Sequence, residues 1–178
     1  MGSEGKTIEL PEGTKAEVKG STVKITGKNG SLERNFIHNK VKIELKENKI
    51  NISASRESKR TKTMINTVNA HIKNMIEGTG KGYTYKMQVV FSHFPINVSA
   101  KGKEIEINNF TGEKKPRKAG IVGNTKVEIK GKEIILKGIN KEEIGQTAAN
   151  LEKATKIKNR DQRVFQDGIY LTEKKVNE

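Results

Sequence analysis

The stretch VKIELKENKINISASRESKRTKTMINTVNAHIKNMI, residues 41–76, decides the fold. It begins with two segments, 41–45 and 49–53, in which apolar and polar residues alternate. That alternation is typical of antiparallel strands with one buried and one solvated face. The period then changes, and apolar side chains at helical spacing predict an amphipathic helix from about Ser58 to Glu77. Two strands and one covering helix predict a small α+β unit.

The same order of elements returns in the second half of the chain, where Val127-Glu128-Ile129 repeats the pattern of Val41-Lys42-Ile43. At an offset of 84 positions (134 − 50), the matched pairs are Ile50 with Ile134, Ile52 with Leu136, Thr63 with Thr147, Asn66 with Asn150 and Ala70 with Ala154. The sequence therefore predicts an internal duplication of the α+β class: two tandem copies of a small antiparallel β-sheet, each covered by one α-helix. We expect domains at residues 1–81 and 82–178, with the boundary near residues 78–83.

Short motifs predict a turn in the first copy and the start of the helix in the second. Asn29-Gly30 predicts a hairpin with a type I′ turn, since Asn and Gly tolerate positive φ. Asn140 and Glu143 resemble a capping box, and the second helix is expected to continue through 146–158. Strands are expected at 83–91, 96–98, 104–107, 126–129 and 133–136. Residues 114–118 read as a basic loop.

Composition points to a polyanionic partner. The 178 residues include 35 Lys and Arg against 21 Asp and Glu, a net charge of +14. A surface this positive attracts phosphate groups. The low hydrophobic content of 32% favours two small cores over one large core. No apolar run approaches the roughly 20 residues of a membrane span, and the N-terminal residues lack the apolar region of a signal peptide.

Catalytic and metal chemistry find little support. The chain has no Cys, which excludes disulfides and thiolate zinc sites and fits a reducing cytoplasm. His38, His71 and His93 are far apart and lack acidic residues at ligand spacing, so no metal site is expected. The glycines at 78–82 follow a helix and precede a strand, the reverse of a phosphate-binding loop. We interpret these glycines as a helix end and an interdomain linker. The alternative is a backbone nest, in which successive N–H groups contact an RNA phosphate together with Lys81 and Lys86.

Basic residues of the second copy are the main candidates for contacts to RNA phosphates. They are Lys114, Lys115, Arg117, Lys118, Lys156, Lys158, Arg160, Arg163, Lys174 and Lys175. Secondary candidates are Arg56, Lys59, Arg60, Lys81 and Lys86. Arg163 and Phe165 are expected at alternate positions of one strand, facing the same way. Phe165 and Tyr170 are expected to pack in the core, with stacking on a base as the alternative.

The C-terminal residues carry a more specific signal. Gln146, Asn150-Leu151, Lys158-Asn159-Arg160-Asp161 and the run from Arg163 to Tyr170 (RVFQDGIY) resemble the C-terminal signature of the ribosomal protein L6 family in its archaeal and eukaryotic form. Residues 82–87 and 94–96 are similar to that family too. The Tyr-Lys-Gly-Lys-Gly run of bacterial members is absent, so details of those members do not transfer.

The resemblance implies a structural protein of the large ribosomal subunit, with the duplicated fold and no catalytic residue or cofactor. It implies binding to large-subunit ribosomal RNA mainly through the second domain, near the sarcin–ricin loop and the base of the factor-binding stalk. Neighbouring ribosomal proteins would be its other partners, and the ribosome in the cytoplasm its location. Two alternatives stay open: a nucleic-acid-binding module that works outside the ribosome, and an RNA-modifying enzyme, for which no cofactor site or catalytic cluster is found.

Overall fold

The computed structural model describes residues 5–37, 41–46, 48–54, 58–161 and 163–177. The candidate Arg56, together with His38 and Gln162, lies outside the described residues. The chain forms two compact units, residues 1–82 (unit 1) and 83–178 (unit 2). Each unit combines antiparallel strands with one α-helix.

Unit 1 contains two three-stranded antiparallel sheets and one long helix. Its elements are β1 (Lys6–Glu9), β2 (Lys15–Lys19), β3 (Thr22–Gly27), β4 (Gly30–Asn35), β5 (Val41–Lys46), β6 (Lys49–Ala54) and α1 (Lys59–Gly80). One sheet has the order β1-β6-β5 and the other β2-β3-β4. The alternation in β3 and β6 buries Val23, Ile25, Ile50 and Ile52 completely.

Helix α1 begins directly after its N-cap residue, Ser58. The Ser58 side chain accepts a hydrogen bond from the Thr61 backbone N–H, and the Thr61 side chain accepts one from the Ser58 N–H, a reciprocal capping box. The helix passes the expected end at Glu77 and runs to Gly80, with the buried Thr79 hydroxyl donating to the Met75 carbonyl at 2.8 Å. Glycines at 78 and 80 therefore lie inside the helix.

The hairpin between β3 and β4 docks on the end of α1. The expected type I′ turn at Asn29-Gly30 is wrong: Gly27 pairs with Gly30, so Lys28 and Asn29 form the turn, and neither has a positive φ. Asn29 instead donates to the end of the helix, from its N–H to the Thr79 carbonyl at 2.9 Å and from its side chain to the Gly80 carbonyl at 3.0 Å. The helix end thus fixes the turn's geometry.

Unit 2 repeats this plan with one strand more. Its elements are β7 (Tyr83–Val90), β8 (Asn97–Lys101), β9 (Glu104–Asn108), β10 (Arg117–Gly120), β11 (Lys126–Lys130), β12 (Glu133–Gly138), α2 (Lys141–Ala154) and β13 (Gly168–Val176). The sheets have the orders β11-β12-β7-β13 and β10-β9-β8. Asn140 is the N-cap of α2, as expected, and its side chain accepts from the Glu142 N–H.

The internal duplication is confirmed in the strand topology. Strands β7, β12 and β11 have the same order as β1, β6 and β5, and each unit has a second three-stranded sheet made of consecutive strands. Unit 2 has one additional strand, β13, which pairs with the free edge of β7. The corresponding edge of β1 in unit 1 has no partner among the described strands. The duplicated α+β class predicted from the sequence is therefore correct.

Each unit has its own apolar core. In unit 2 the largest fully buried side chains include Tyr83, Met87, Ile105, Phe110 and Leu136, at 2% exposure or less. Burying a side chain of this kind contributes about 1.5–3 kcal/mol. Two small cores are what a chain with 32% hydrophobic residues can fill. Among the described residues no helix is long and apolar enough to cross a bilayer.

Candidate nucleic-acid interface

The chain between α2 and β13, residues 155–167, carries several of the predicted cations, and we call it the C-terminal connection. Helix α2 ends at Ala154, earlier than the expected Lys158. The buried Thr155 is its C-cap residue, and the N–H and the hydroxyl of Thr155 both donate to the Leu151 carbonyl, at 3.1 and 3.0 Å. Lys156 and Lys158 therefore project from the connection rather than from a helix.

A turn, not a strand, holds Arg163 and Phe165. The Asp161 carboxylate accepts from the Arg163 N–H at 2.9 Å, and the Asp161 carbonyl accepts from the N–H groups of Val164 and Phe165. Asp is favoured at such turns because its side chain can bond the backbone two residues on. The expectation that Arg163 and Phe165 alternate along one strand is wrong, since β13 starts only at Gly168.

Hydrogen bonds hold the connection, and the residues of α2 and β13 that flank it, in place within unit 2. The Thr155 hydroxyl accepts from the Ile169 N–H at 3.1 Å, and the Glu152 carboxylate accepts from the Leu171 N–H at 3.2 Å. Asp167, which is only 7% exposed, accepts from both the N–H and the hydroxyl of Ser92. Sequence reasoning missed these residues, although Asp167 lies inside the Arg-Val-Phe-Gln-Asp-Gly motif and could have been singled out there.

Arg117 joins the basic loop to the C-terminal connection. Its guanidinium makes a bidentate pair with Glu113 at 2.8 and 2.6 Å. The same group donates to the carbonyls of Ala154 at 2.9 Å and Lys156 at 3.3 Å, and lies 4.2 Å from the centre of the Phe110 ring. Most of its donors are thus committed inside the protein. Arg117 also starts strand β10, so the expected loop 114–118 is shorter than predicted.

The structure brings the basic loop and the connection side by side. Arg117 holds the pKa of the Glu113 carboxyl below its ordinary value by hydrogen bonding and charge, and the Arg160 charge lowers that pKa further. Within the connection, the Arg160 guanidinium carbon lies 4.9 Å from the centre of the Phe165 ring. The exposed cations of these two neighbouring segments are Lys114, Lys115, Lys156, Lys158, Arg160 and Arg163, which we call the cation cluster.

Charge on the cation cluster is poorly neutralised by the protein itself. Within the part of the chain that the structure describes, the ion pairs of unit 2 involve Lys86, Lys101, Arg117, Lys118, Lys137 and Lys175, and no member of the cluster. Uncompensated cations close together raise the local potential and attract anions. The arrangement suits the capture of several phosphates.

The remaining main candidates do not belong to this cluster. Lys118 on β10 pairs with Glu104 at 2.9 Å, which raises the pKa of Lys118. Lys174 and Lys175 lie at the far end of β13, where they pair in register with Tyr85 and Thr84. Lys174 lies six positions after Gly168 along the strand, a distance of about 20 Å at the usual rise per residue. These two lysines thus form a separate site.

Lys86 belongs to that second site. Its ammonium lies 2.8 Å from Glu173, which raises the pKa of Lys86 through a hydrogen bond and the opposite charge. Glu173 also pairs with Lys175 at 2.6 Å, and both lysines lower the pKa of its carboxyl. An RNA phosphate here would compete with a carboxylate that the protein already supplies.

Unit 1 offers fewer candidates. Lys59 and Arg60 are exposed on the first turn of α1, and Lys81 is exposed just beyond its last residue. Lys59 and Arg60 lie at the positive end of the helix dipole, which adds to their local potential.

Phe165 and Tyr170 are not core residues. Their exposed fractions are 41% and 47%, and neither belongs to the buried cluster of unit 2. The expectation of core packing for both rings is therefore wrong. The Tyr170 hydroxyl donates to the Gln166 carbonyl at 3.1 Å, which fixes the ring against the connection.

The described residues provide no group of three or more His, Asp or Glu side chains that could hold a metal ion. His93 is exposed and stacks edge-on with Phe94, with ring centres 4.8 Å apart. His71 is half-buried, 6.2 Å from the ring of Phe36. The surface therefore presents exposed cations and exposed aromatic rings on a backbone that hydrogen bonds hold in place.

The fold and this surface define a class: duplicated α+β proteins that present exposed cations on one repeat. The chain belongs to the Ribosomal protein L6 family, whose model matches residues 10–82 and 94–168. The two matched segments correspond to the two repeats. The family expected from the C-terminal signature is confirmed.

Curated relatives agree over nearly the whole chain. Proteins named large ribosomal subunit protein uL6 are 46% identical over 169 residues in Methanosarcina mazei, covering 95% of this chain and 96% of that one, and 47% identical over 172 residues in Methanosphaera stadtmanae, covering 96% and 94%. The protein of that name in Ignicoccus hospitalis is 45% identical over 174 residues, covering 95% and 94%. These organisms are archaea, in agreement with the archaeal form of the signature.

Proposed function

We propose that this chain is a structural component of the large ribosomal subunit and binds large-subunit ribosomal RNA through unit 2. Membership of the family and the name shared by its relatives support the ribosomal assignment. The observation that carries the binding mode is the cation cluster, in which two segments that are distant in sequence but joined through Arg117 carry six exposed basic residues.

The mechanism is neutralisation of phosphate and release of counterions. Each Lys or Arg that contacts a phosphate frees condensed cations, so affinity falls steeply as salt rises. Folded RNA is recognised mainly through its shape, its backbone and its unpaired bases. A surface held by Arg117, Thr155 and Asp167 meets such a backbone with little loss of conformational freedom.

The proposed position is near the sarcin–ricin loop and the base of the factor-binding stalk, with neighbouring ribosomal proteins as further partners. This placement rests on the resemblance of the C-terminal signature to the family. Lys118, Lys174, Lys175 and Lys86 form secondary contacts in this proposal, and Lys59, Arg60 and Lys81 weaker ones. No catalytic step and no cofactor is assigned, and the site of action is the ribosome in the cytoplasm.

Co-sedimentation with large subunits tests the ribosomal assignment. We expect the protein to remain with purified large subunits after a high-salt wash, and chemical footprinting to protect nucleotides of the sarcin–ricin region. Protein that leaves the subunits at moderate salt, while still binding free RNA, would favour the module that works outside the ribosome. Protection confined to a distant RNA domain would refute the placement alone.

A further inference from the structure

A cavity of about 380 Å³ opens beside the cation cluster in unit 2. It lies between the last turn of α2, the C-terminal connection and the first residues of β13. Its walls include Glu152, Thr155, Lys156, Phe165 and Tyr170. The volume falls at the small end of the roughly 300–1,000 Å³ range of small-ligand sites, so it accommodates one group of nucleobase size.

Two aromatic rings face this cavity instead of filling the core. Phe165 and Tyr170 stay 41% and 47% exposed although the same unit buries Tyr83 and Phe110 almost completely. Exposed aromatic side chains beside cations are the means by which proteins stack unpaired bases. The Arg160 guanidinium over the Phe165 ring adds a second planar, cationic surface to the stack.

The walls are fixed before any ligand arrives. Thr155 is 3% exposed and bridges the end of α2 to the start of β13 through its hydroxyl. Tyr170 is fastened to the Gln166 carbonyl, and Asp167 fastens the end of the connection to Ser92. A site whose backbone and Tyr170 ring are already held loses less entropy on binding.

Polar groups of the cavity suggest which base it takes. One carboxylate oxygen of Glu152 accepts from the Leu171 N–H, which orients the side chain and leaves the second oxygen able to accept. A carboxylate selects a base that offers an amino group, because such a group donates. Lys156 at the wall is placed to meet a flanking phosphate.

We infer that this cavity receives one unpaired, amino-bearing nucleobase of the RNA, stacked on Phe165 and Tyr170 while Lys156 and Arg160 hold the adjoining phosphates. The inference rests on the proposed RNA-binding function and adds a base-specific site to it. It makes Phe165 a recognition residue, distinct in role from the cations around it.

The test compares two conservative variants of the full-length protein in binding to deproteinised large-subunit ribosomal RNA. Phe165→Leu removes the ring in the cavity, and Phe94→Leu removes a ring of similar exposure, 40%, elsewhere in unit 2. We expect Phe165→Leu to weaken binding about tenfold, in line with the loss of one base stack. The slope of log Kd against log salt should stay unchanged, because every phosphate contact remains. Phe94→Leu should bind within about twofold of the unmodified protein.

A cross-link supplies an independent readout. Ultraviolet irradiation of the complex formed by Phe165→Trp should join the new ring to a single unpaired nucleotide bearing an amino group. Equal affinities of Phe165→Leu and Phe94→Leu would overturn the inference, as would cross-links spread over paired regions.

Failure of the inference is distinguishable from failure of the proposed function. If the unmodified protein itself shows no salt-dependent binding to the RNA, the proposed function fails. If it binds and Arg163→Glu weakens it while Phe165→Leu does not, only the base site is wrong. If Phe165→Leu loses attachment to intact subunits but keeps its RNA affinity, a protein neighbour fills the cavity, which also overturns the inference.

Discussion

Replacing Arg117 by Lys keeps the net charge at +14 and removes the planar fork of donors. The guanidinium makes four hydrogen bonds, two to Glu113 and one each to the carbonyls of Ala154 and Lys156. A single ammonium can keep a contact to Glu113 but cannot reproduce the fork. The path of the C-terminal connection past the end of α2 should therefore loosen.

The magnitude follows from the hydrogen bonds that the substitution removes. Hydrogen bonds contribute about 0.5–1.5 kcal/mol each after exchange with water, and those of charged groups about 1.5–3 kcal/mol. The Arg117 side chain is 27% exposed, so water replaces part of what is removed. We expect the free energy of unfolding of unit 2 to fall by about 2 kcal/mol and its Tm by about 10 °C, because 1 kcal/mol shifts a domain of this size by about 4–8 °C. RNA affinity should fall about tenfold because Lys156, Lys158 and Arg160 are then no longer held in fixed positions.

The substitution Glu113→Gln tells whether Arg117 positions the connection or binds phosphate directly, because the two roles predict changes of RNA affinity in opposite directions. If Arg117 were a phosphate ligand, removing its carboxylate partner would strengthen RNA binding, and net charge would rise to +15 as well. If Arg117 positions the connection, Glu113→Gln should weaken binding about threefold to tenfold. Titration of fluorescently labelled RNA measures both variants, with Lys115→Arg as the control expected within twofold. A Glu113→Gln protein that binds more tightly refutes the positioning role.

The Glu113–Arg117 pair also predicts a dependence on pH. Arg117 lowers the pKa of Glu113 from its ordinary value of 4.5. A carboxylate with a lowered pKa contributes stability that is fully present above its unfolded pKa and is lost as pH falls through the folded value. The difference in unfolding free energy between the unmodified protein and Glu113→Gln should therefore be constant above about pH 5 and shrink below pH 4. Denaturant titrations at several pH values measure it, and a difference that grows on acidification would contradict the pairing.

Further predictions concern the two units. Gly27→Ala should destabilise unit 1 by about 1–3 kcal/mol in denaturant titrations, because the added Cβ would lie 2.6 Å from the Thr79 carbonyl oxygen; an unchanged midpoint would refute that close approach. Asp167→Ala should cost about 2 kcal/mol and Ser92→Ala about 1 kcal/mol, since the latter leaves the backbone bond in place; equal effects would argue against the backbone contact. A fragment of residues 83–178 should fold cooperatively on its own by circular dichroism, and a fragment that stays unfolded would remove the two-unit account.

The sequence predicts most of the repeat because its signals are local. Alternation in residues 41–45 and 49–53 and helical spacing after Ser58 fixed the element types, and the recurrence of matched residues 84 positions later fixed the duplication. The type I′ turn failed because tertiary contacts of Asn29 with the end of α1 decide that turn. Such contacts leave no trace in local patterns.

The sequence predicted which residues belong to the candidate site but not how they are arranged in space. Basic residues could be identified one by one, but their grouping depends on Arg117 reaching the carbonyls of Ala154 and Lys156 across the fold. Phe165 lies in the turn at Asp161 and not in the expected strand. The prediction that it packs in the core was wrong for that reason. Pairing of β13 with β7 moved Lys174 and Lys175 away from the other cations.

In the proposed binding mode, the position of the cations, and not the total charge, holds the RNA. Two full-length variants test this most directly: Arg160 and Arg163 both replaced by Glu, and Lys59 and Arg60 both replaced by Glu. Each lowers the net charge from +14 to +10, since each reversal removes two charges. The second places acids at the N-terminal turn of α1, where the helix dipole favours them, so folding should be preserved.

Affinity for deproteinised large-subunit ribosomal RNA is the quantity to measure, at one fixed salt concentration. We predict that the Arg160 and Arg163 variant binds about 100-fold more weakly, because two charge-assisted contacts worth about 1.5 kcal/mol each become repulsive or disappear. The Lys59 and Arg60 variant should bind within about threefold of the unmodified protein. Equal losses of affinity in the two variants would contradict the proposed binding mode.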